Sequence, residues 1–585
     1  MATVRKRLGG VSYEHPVGFW IGVTLITAGM IMQLPMFYAA RHMHYRLAGM
    51  PVTNEMLAGM AIMLGGLGIT AYSLFPRSRP VRPELSGVAI APLDDARIGP
   101  AHVALLVVMA IAVTIDGMKP AALAFVAPGA ELEYHLRGPL NPMAHALPIG
   151  LYPLSGIIGT MTGSFVWGLL GDRIGRRASI LLAAALFISS STCGVMPRYW
   201  INLVSCFVMG LAAGGMLPIG FSLLSETVPK RHRGWMMLVI GSNIVTAYIL
   251  VSWLAATWAS PAHFGWRLLW LVSLPTGVLL IGLNRWIPES PRFLLCQGRD
   301  DEARAVMRRY GAVIAEKAPD PLAGAASPAG PAGGTGLAGR AGLAGLTGLT
   351  GLTGSRQLVS KPFLGLTAAI VLLAFGIGAT QYGFQQWMPS NLVLLGFSSL
   401  SSSTLLRNAA VFGFPLTLPV ALLYHLWGSK KTALCVTMII GAALGTFVLL
   451  GNAAAAHRDV LYLLLIVPVW GVNILNAILA AYTAEVYPTV IRARGSGLSA
   501  GSTKAGGVLI LTLAVVAFAA PSIRLTAAFA AVPLLLAVIT LVAFGPETRQ
   551  KRLEDITAEE LRTLTPLAAP DAAPASLSAP PPGVG

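Results

Sequence analysis

The feature that most constrains this chain is a series of long apolar blocks separated by shorter polar segments. Blocks such as 101–127, 177–196, 361–380 and 524–545 are each near the roughly 20 residues needed to cross a hydrocarbon core of about 30 Å. Only 11% of the 585 residues are charged, whereas soluble domains carry about 25%. A backbone in lipid must satisfy its own hydrogen bonds, and the alternating segments of a membrane barrel do not occur. The blocks therefore predict an all-α membrane protein.

The sequence predicts about fourteen spans, namely two early spans and twelve that follow them. Their expected bounds are about 17–40, 56–75, 101–127, 147–170, 177–196, 199–224, 235–258, 266–287, 362–389, 408–427, 432–451, 459–484, 496–520 and 524–545.

The net charge of +17 is explained by topology. About 31 of the 41 Lys and Arg fall on one side of the predicted membrane and about 8 on the other. The positive-inside rule assigns the rich side to the cytoplasm, with both termini there and an inner (plasma) membrane location. Nucleic acid is therefore not an expected partner. The rich side holds Arg5, Lys6, Arg7, Arg173, Arg176, Arg177, Lys230, Arg231, Arg233, Lys430, Lys431, Arg492 and Arg494.

Enzymatic chemistry is not indicated. The four cysteines have no CxxC spacing, and three of them lie in apolar blocks, which is typical of small buried side chains. No metal-ligand cluster, nucleophile elbow or phosphate-binding loop is evident in the polar segments. We therefore expect no metal, no cofactor and no catalytic residues.

Composition shifts and repeats divide the chain into five segments. We expect an extra N-terminal hairpin with its linker at 1–98, a six-helix half at 99–290, a cytoplasmic loop at 291–360, a second half at 361–548 and a tail at 549–585. The loop opens with a candidate surface helix and continues as a Gly/Ala/Leu/Thr-rich linker.

Three motifs recur at nearly one offset, which indicates duplication of a six-span unit. Glu226-x-x-Pro-x-x-x-Arg233 recurs at Glu485 to Arg492, and Pro288-Glu289-Ser290 recurs as Pro546-Glu547-Thr548. A weaker echo pairs Gly171-Asp172-Arg173 with Gly428-Ser429-Lys430. Repeat interfaces of this kind hold a substrate near the membrane midplane.

The loop Gly168-Leu-Leu-Gly-Asp-Arg-Ile-Gly-Arg-Arg177 resembles the signature loop of the major facilitator superfamily. The Glu-x-x-Pro-x-x-x-Arg and Pro-Glu-Ser/Thr elements are similar to those of its sugar-porter and organic-ion branch. The resemblance covers roughly 100–560 and implies two six-helix halves that move by alternating access. A role in gating, or a static structural role, is implied for Gly171, Asp172, Arg173, Gly175, Arg176, Glu226, Arg233, Glu289, Arg292, Glu485, Arg492 and Glu547.

Ionisable residues at mid-span are functional candidates because their insertion costs about 2.5–3.5 kcal/mol. Asp116 and Lys119 share one face of the third span, and Lys504 lies among small residues of the thirteenth. Asp116-Gly-Met-Lys119 resembles an element of aromatic-acid:proton symporters, in which acidic residues serve proton coupling and substrate uptake. Lys119 replaces the second acid, and a neighbouring ammonium makes Asp116 a poorer proton carrier by stabilising its carboxylate. Lys504, with Lys119, is a candidate to attract a substrate carboxylate; internal ion pairing is the alternative.

Amide and aromatic side chains are the remaining candidates for a cavity. Gln381, Tyr382 and Gln385 lie in the ninth span, and Asn473 and Asn476 share a face of the twelfth. Interhelical hydrogen bonding is the alternative for the asparagines, and interfacial anchoring is the alternative for Trp387.

These residues predict a secondary transporter that takes up a small organic anion, such as an aromatic or other carboxylate, together with protons. The partners expected are the solute and the lipid bilayer. An efflux antiporter and a non-transporting nutrient sensor are the alternatives. The sequence does not determine an oligomeric state.

Overall fold

The computed structural model describes residues 15–75, 93, 96–259, 263–312, 358, 363–456, 458–487, 489–516 and 522–547. Helices joined by short loops form this part of the chain, with no strand in it. The predicted all-helical membrane fold is confirmed. The low-complexity linker after residue 312 and the tail from residue 548 lie outside the described residues.

The long helices are numbered α1–α14 in chain order, and α7–α10 are each built from more than one helical segment. Their bounds are α1 Pro16–Ile31, α2 Asn54–Leu74, α3 Pro100–Glu133, α4 Leu151–Ile174, α5 Arg176–Ser190, α6 Tyr199–Thr227, α7 Lys230–Ser242 and Ile244–Thr257, α8 Leu268–Leu271 and Ser273–Gly282, α9 Leu364–Gly378, Ala379–Phe384 and Gln385–Leu394, α10 Ser399–Gly413 and Thr417–Trp427, α11 Ser429–Leu450, α12 Arg458–Val486, α13 Thr489–Val516 and α14 Ile523–Phe544.

Thirteen helices in the described residues are long and apolar enough to cross a membrane. The remaining one of the fourteen, α4, has 24 residues and would extend about 36 Å. It carries Thr160, Thr162 and Ser164 and packs closely on α6. The Ser164 hydroxyl donates to the Gly214 carbonyl oxygen on α6 at 2.8 Å, whereas the two threonine hydroxyls donate to carbonyl oxygens of α4 itself.

The first two helices form a tight hairpin. A Cβ on Gly22 would lie 2.7 Å from the Gly66 carbonyl oxygen, and one on Gly29 would lie 2.5 Å from that of Gly59. Only glycine allows two helix backbones to approach this closely. After a break at residues 32–33, the short helix Leu34–Ala39 continues α1.

Helices α3–α8 pack together, and so do α9–α14. Contacts between the two groups run through α4 with α13, α7 with α10 and α12, and α3 with α9. The expected surface helix is present as Asp300–Arg309, with Ala303 and Met307 buried. The end of the bundle that carries the loop Gly171–Arg177 is called the loop end below.

Candidate functional site

A small cavity lies between the two groups of helices, with walls from α3, α7, α9 and α12. Four of the predicted residues line it: Gln381, Tyr382, Gln385 and Asn473. Asn473 also donates from Nδ2 to the Val469 carbonyl oxygen at 3.0 Å, the usual length for an amide bond to a carbonyl. Asn476 is half-buried and is not among the lining residues.

A π-helical turn, Ala379–Phe384, lies in the middle of α9. Gln381 reaches the cavity from this turn, and Gln385 reaches it from the residue that follows the turn. Such turns shift the register of the side chains that follow and recur at functional sites. Close packing of α9 on α13 holds this turn in place, because a Cβ on Gly378 would collide with the Thr503 carbonyl oxygen. A regular helix was expected here, since periodicity does not distinguish an α-turn from a π-turn.

Sequence reasoning missed two lining residues, Tyr248 and Gln386. Gln386 is buried, and its Nε2 has no hydrogen-bond partner among the described residues. Its position next to Gln385 was the available signal. Trp387 is also buried, with 4% of its surface exposed, so it is not an interfacial anchor.

A second, smaller and mostly apolar cavity adjoins the first. Pro120, Tyr382 and Gln386 line both and form the wall between them. Leu123, Ile157, Met209 and Leu511 supply much of the remaining apolar lining, and Thr160 adds one hydroxyl. The two linings together combine carboxamide groups with an apolar wall.

The charged candidates stand behind the cavity walls, since neither lining set includes Asp116, Lys119 or Lys504. Asp116 is buried, and its Oδ1 has no hydrogen-bond partner in the described part of the chain. Its carboxylate forms no ion pair with either lysine there. Asp116 and Lys119 therefore do not form a contact ion pair in this structure.

The two lysines turn in different directions. Lys119 Nζ donates to Ser273 Oγ on α8 and lies 5.3 Å from the ring centroid of Phe187 on α5. Lys504 Nζ, from α13, donates to Ser164 Oγ on α4 at 2.5 Å, so it bridges the two groups of helices.

At the loop end, Glu289 binds the start of α5. Its Oε1 accepts from the backbone N–H groups of Arg176 at 2.8 Å and Arg177 at 3.3 Å. Burial raises the pKa of the Glu289 carboxyl above its usual range. Arg176 in turn pairs with Glu226 at 3.2 Å. The expected charged cluster at the loop is thus assembled, with a carboxylate at a helix N-terminus, where the dipole favours it.

The other gating candidates differ in their burial and contacts. Gly171 is buried, whereas Arg173 and Arg292 are exposed. Glu547 accepts from the Lys431 N–H at 3.3 Å. The side chains of Asp172, Arg233, Glu485 and Arg492 lie outside the part that the structure describes. Gating roles for all of these residues remain predictions.

The structure corrects the register of the weakest repeat. Gly175 has φ +96° and ψ 162° and precedes α5, while Gly428 has φ +97° and ψ 169° and precedes α11. Glu289 and Glu547 bind the two helix starts. Gly428 is therefore the counterpart of Gly175, and pairing it with Gly171 was wrong. A shared glycine was not enough to align the two repeats. The matching backbone conformation of Gly175 and Gly428 determines their alignment.

Comparisons with known proteins agree with this architecture. The family model described as "Sugar (and other) transporter" matches residues 126–321. The partially occluded, inward-open xylose transporter XylE of E. coli superposes with a TM-score of 0.58 at 16% identity, covering 78% of this chain and 100% of that one. In fold and in sequence, the chain is thus similar to sugar-porter-like transporters of the major facilitator superfamily.

Sequence relatives of this transporter cover more of its length than the family model does. The niacin transporter NiaP of Acinetobacter baylyi is 25% identical over 80% of this chain and 99% of its own. A putative niacin/nicotinamide transporter of Bacillus subtilis is 28% identical over 68% of this chain and 86% of its own. The thirteen helices of the described residues that are long and apolar enough to cross a membrane agree with a multi-pass membrane protein.

Proposed function

We propose that this transporter carries a small organic anion, an aromatic or heteroaromatic carboxylate, into the cell by proton-coupled alternating access. The observation that carries the proposal is the charge behind the central cavity. Two lysines stand there with one carboxylate, Asp116, and that carboxylate pairs with neither. An anionic solute would offset the excess positive charge.

The cavity supports the same class of solute. Its carboxamides can donate to carboxylate or ring acceptors, and the adjoining apolar space suits a flat ring. The names of two relatives include niacin, which is an aromatic carboxylate. Asp116 is the proposed proton carrier, because one of its oxygens is uncommitted. The proposed location is the plasma membrane with both termini in the cytoplasm, and the proton gradient is the only proposed energy source.

Lys504 provides the test. Lys504→Ala should raise the apparent KM for a carboxylate about tenfold or more, since roughly 1.4 kcal/mol of interaction corresponds to a factor of ten. Lys504→Arg keeps the charge and should retain more affinity, although a guanidinium differs in shape. Uptake of labelled carboxylates, including niacin, would be measured in a knockout strain with and without a protonophore. An unchanged KM in both variants would contradict the role of Lys504.

The direction and the coupling are tested in the same assay. Uptake that a protonophore abolishes supports proton-driven import. Loss of accumulated solute through the transporter would instead indicate export. Ligand binding without counterflow in proteoliposomes would indicate a sensor.

A further inference from the structure

Two unusual features of the chain meet in space. One is Lys119, which stands where the resembled symporters carry an acid, and the other is the additional hairpin α1–α2. Lys119 points away from the central cavity, toward Ser273 on α8 and Phe187 on α5. The hairpin packs on the outer side of the same helix, α5.

The hairpin makes α5 an interior helix. In the most apolar 18-residue stretch of this span, 94% of the residues are buried. In the corresponding stretch of α11, the equivalent helix of the second half, 44% are buried. Every residue from Ala178 to Ser190 is buried, whereas α11 exposes Met438, Ile439 and Leu449. The difference in burial between these two equivalent helices therefore comes from the hairpin, which covers α5.

A short chain of contacts leads from the hairpin to the lysine. Thr192 Oγ1, just after α5, lies 3.4 Å from Met63 Sδ and 3.7 Å from Met30 Sδ. Leu271 and Leu274, on either side of Ser273, pack against a methionine-rich cluster that combines hairpin residues with Val195 and Met196. The hairpin thus supports α5 directly, and it shares one apolar cluster with α8.

We propose that the hairpin is the outer wall of a lysine pocket, and that it keeps Lys119 turned away from the cavity. Without it, α5 would be the only layer between a buried ammonium and lipid. Such a charge recruits water or moves toward the interface, which distorts the helices around it. The hairpin holds α5 against α8, so the ammonium keeps its hydroxyl and aromatic partners. Hairpin and lysine therefore depend on each other.

A double-mutant cycle tests this dependence. Met30→Ala with Met63→Ala loosens the hairpin, and Lys119→Met removes the charge while keeping a long side chain. Thermal unfolding of the full chain is measured in detergent, so the result does not depend on the proposed substrate. The methionine changes should lower the unfolding temperature clearly when Lys119 is present. In the Lys119→Met background, we expect that loss to shrink by roughly half or more, because interacting sites are not additive.

Leu444→Ala on α11 is the matched control, since Leu444 is fully buried in the other half. Its effect should be the same in the chain that keeps Lys119 and in the Lys119→Met background. Equal losses from the methionine changes in both backgrounds would overturn the proposal. Should the double methionine variant fail to fold, the single Met63→Ala change serves the same cycle, because Met63 Sδ makes the shorter of the two contacts with Thr192.

Discussion

At the scale of single residues, two glycines set the turns at the loop end. Gly175 and Gly428 have φ near +96° with extended ψ, a region that is essentially restricted to glycine. A Cβ on Gly175 would also lie 2.5 Å from Glu289 Oε2. The turn, and the position of the Glu289 carboxylate that binds α5, therefore require a residue without a side chain at position 175.

Gly175→Ala should destabilise the transporter by about 1–3 kcal/mol, from backbone strain, and displace Glu289. Thermal unfolding of the purified protein measures the loss. Gly445→Ala in α11 is the control, because a Cβ there meets nothing within 4 Å. The control should be neutral or stabilising by up to about 1 kcal/mol, through helix propensity. Equal effects of the two changes would contradict the assignment.

Lys119 shows how far helical periodicity can predict a site. The spacing placed Lys119 and Asp116 on one face of a helix, and both are indeed buried. What the spacing could not give is the direction of a long, flexible side chain. That direction depends on Ser273, 154 residues further along the chain.

Gln381 and Gln385 were predictable because both amides lie in one short stretch of an apolar span.

At the scale of elements, the hairpin is tied to the bundle by a buried ion pair. Glu133 Oε1 accepts from the Leu47 N–H at 2.7 Å and the Ala48 N–H at 3.0 Å, in the loop of the hairpin. The same oxygen pairs with Arg267 Nη2 at 2.7 Å, and Trp266 donates to Oε2. One carboxylate thus joins the hairpin loop, the end of α3 and the start of α8.

Glu133→Ala should cost about 3–5 kcal/mol, because Arg267 would remain buried without its counter-ion. The control is Glu302→Ala, which removes the partner of Arg299 in a pair of similar length, 2.6 Å, at a more exposed site. That change should cost about 0–1 kcal/mol. Thermal unfolding of the two variants compares them directly. A small loss for Glu133→Ala would show that the hairpin is not held by this pair.

The helices were predictable and this junction was not. Long apolar blocks fix spans, because the thickness of the bilayer allows few other lengths. Glu133 and Arg267 lie at span ends, where charges are expected at a membrane surface anyway. Their pairing across 134 residues leaves no local signature.

At the scale of the whole molecule, the central cavity is flanked by contacts between the two groups of helices on both sides. Toward the loop end, a Cβ on Gly241 in α7 would lie 3.1 Å from Ala477 Cβ in α12. Toward the other end, a Cβ on Gly150 would meet Val515 at 2.9 Å. The proposed alternating access requires that these contacts open in turn.

A disulfide between Gly241→Cys and Ala477→Cys, in a chain without its native cysteines, should stop uptake by locking α7 to α12. Their Cβ separation of 3.1 Å is shorter than the roughly 3.5–4.5 Å of natural disulfides, so the two helices must move apart by a few tenths of an ångström to accept the bond. Reductant should restore transport. Gly18→Cys with Ser73→Cys is the control, since it joins two helices within the hairpin at 3.7 Å and should leave uptake intact. Undiminished uptake by the oxidised Gly241–Ala477 pair would exclude separation of these helices during transport.

The hairpin that covers α5 also affects how the molecule would move in its bilayer. Helices α1–α8 form one larger body, and α9–α14 form a smaller one. A wider perimeter in contact with lipid gives a body more viscous drag. In the proposed rocking motion, we therefore expect the smaller body to move further relative to the membrane plane, because the hairpin enlarges the lipid-facing perimeter of the other body.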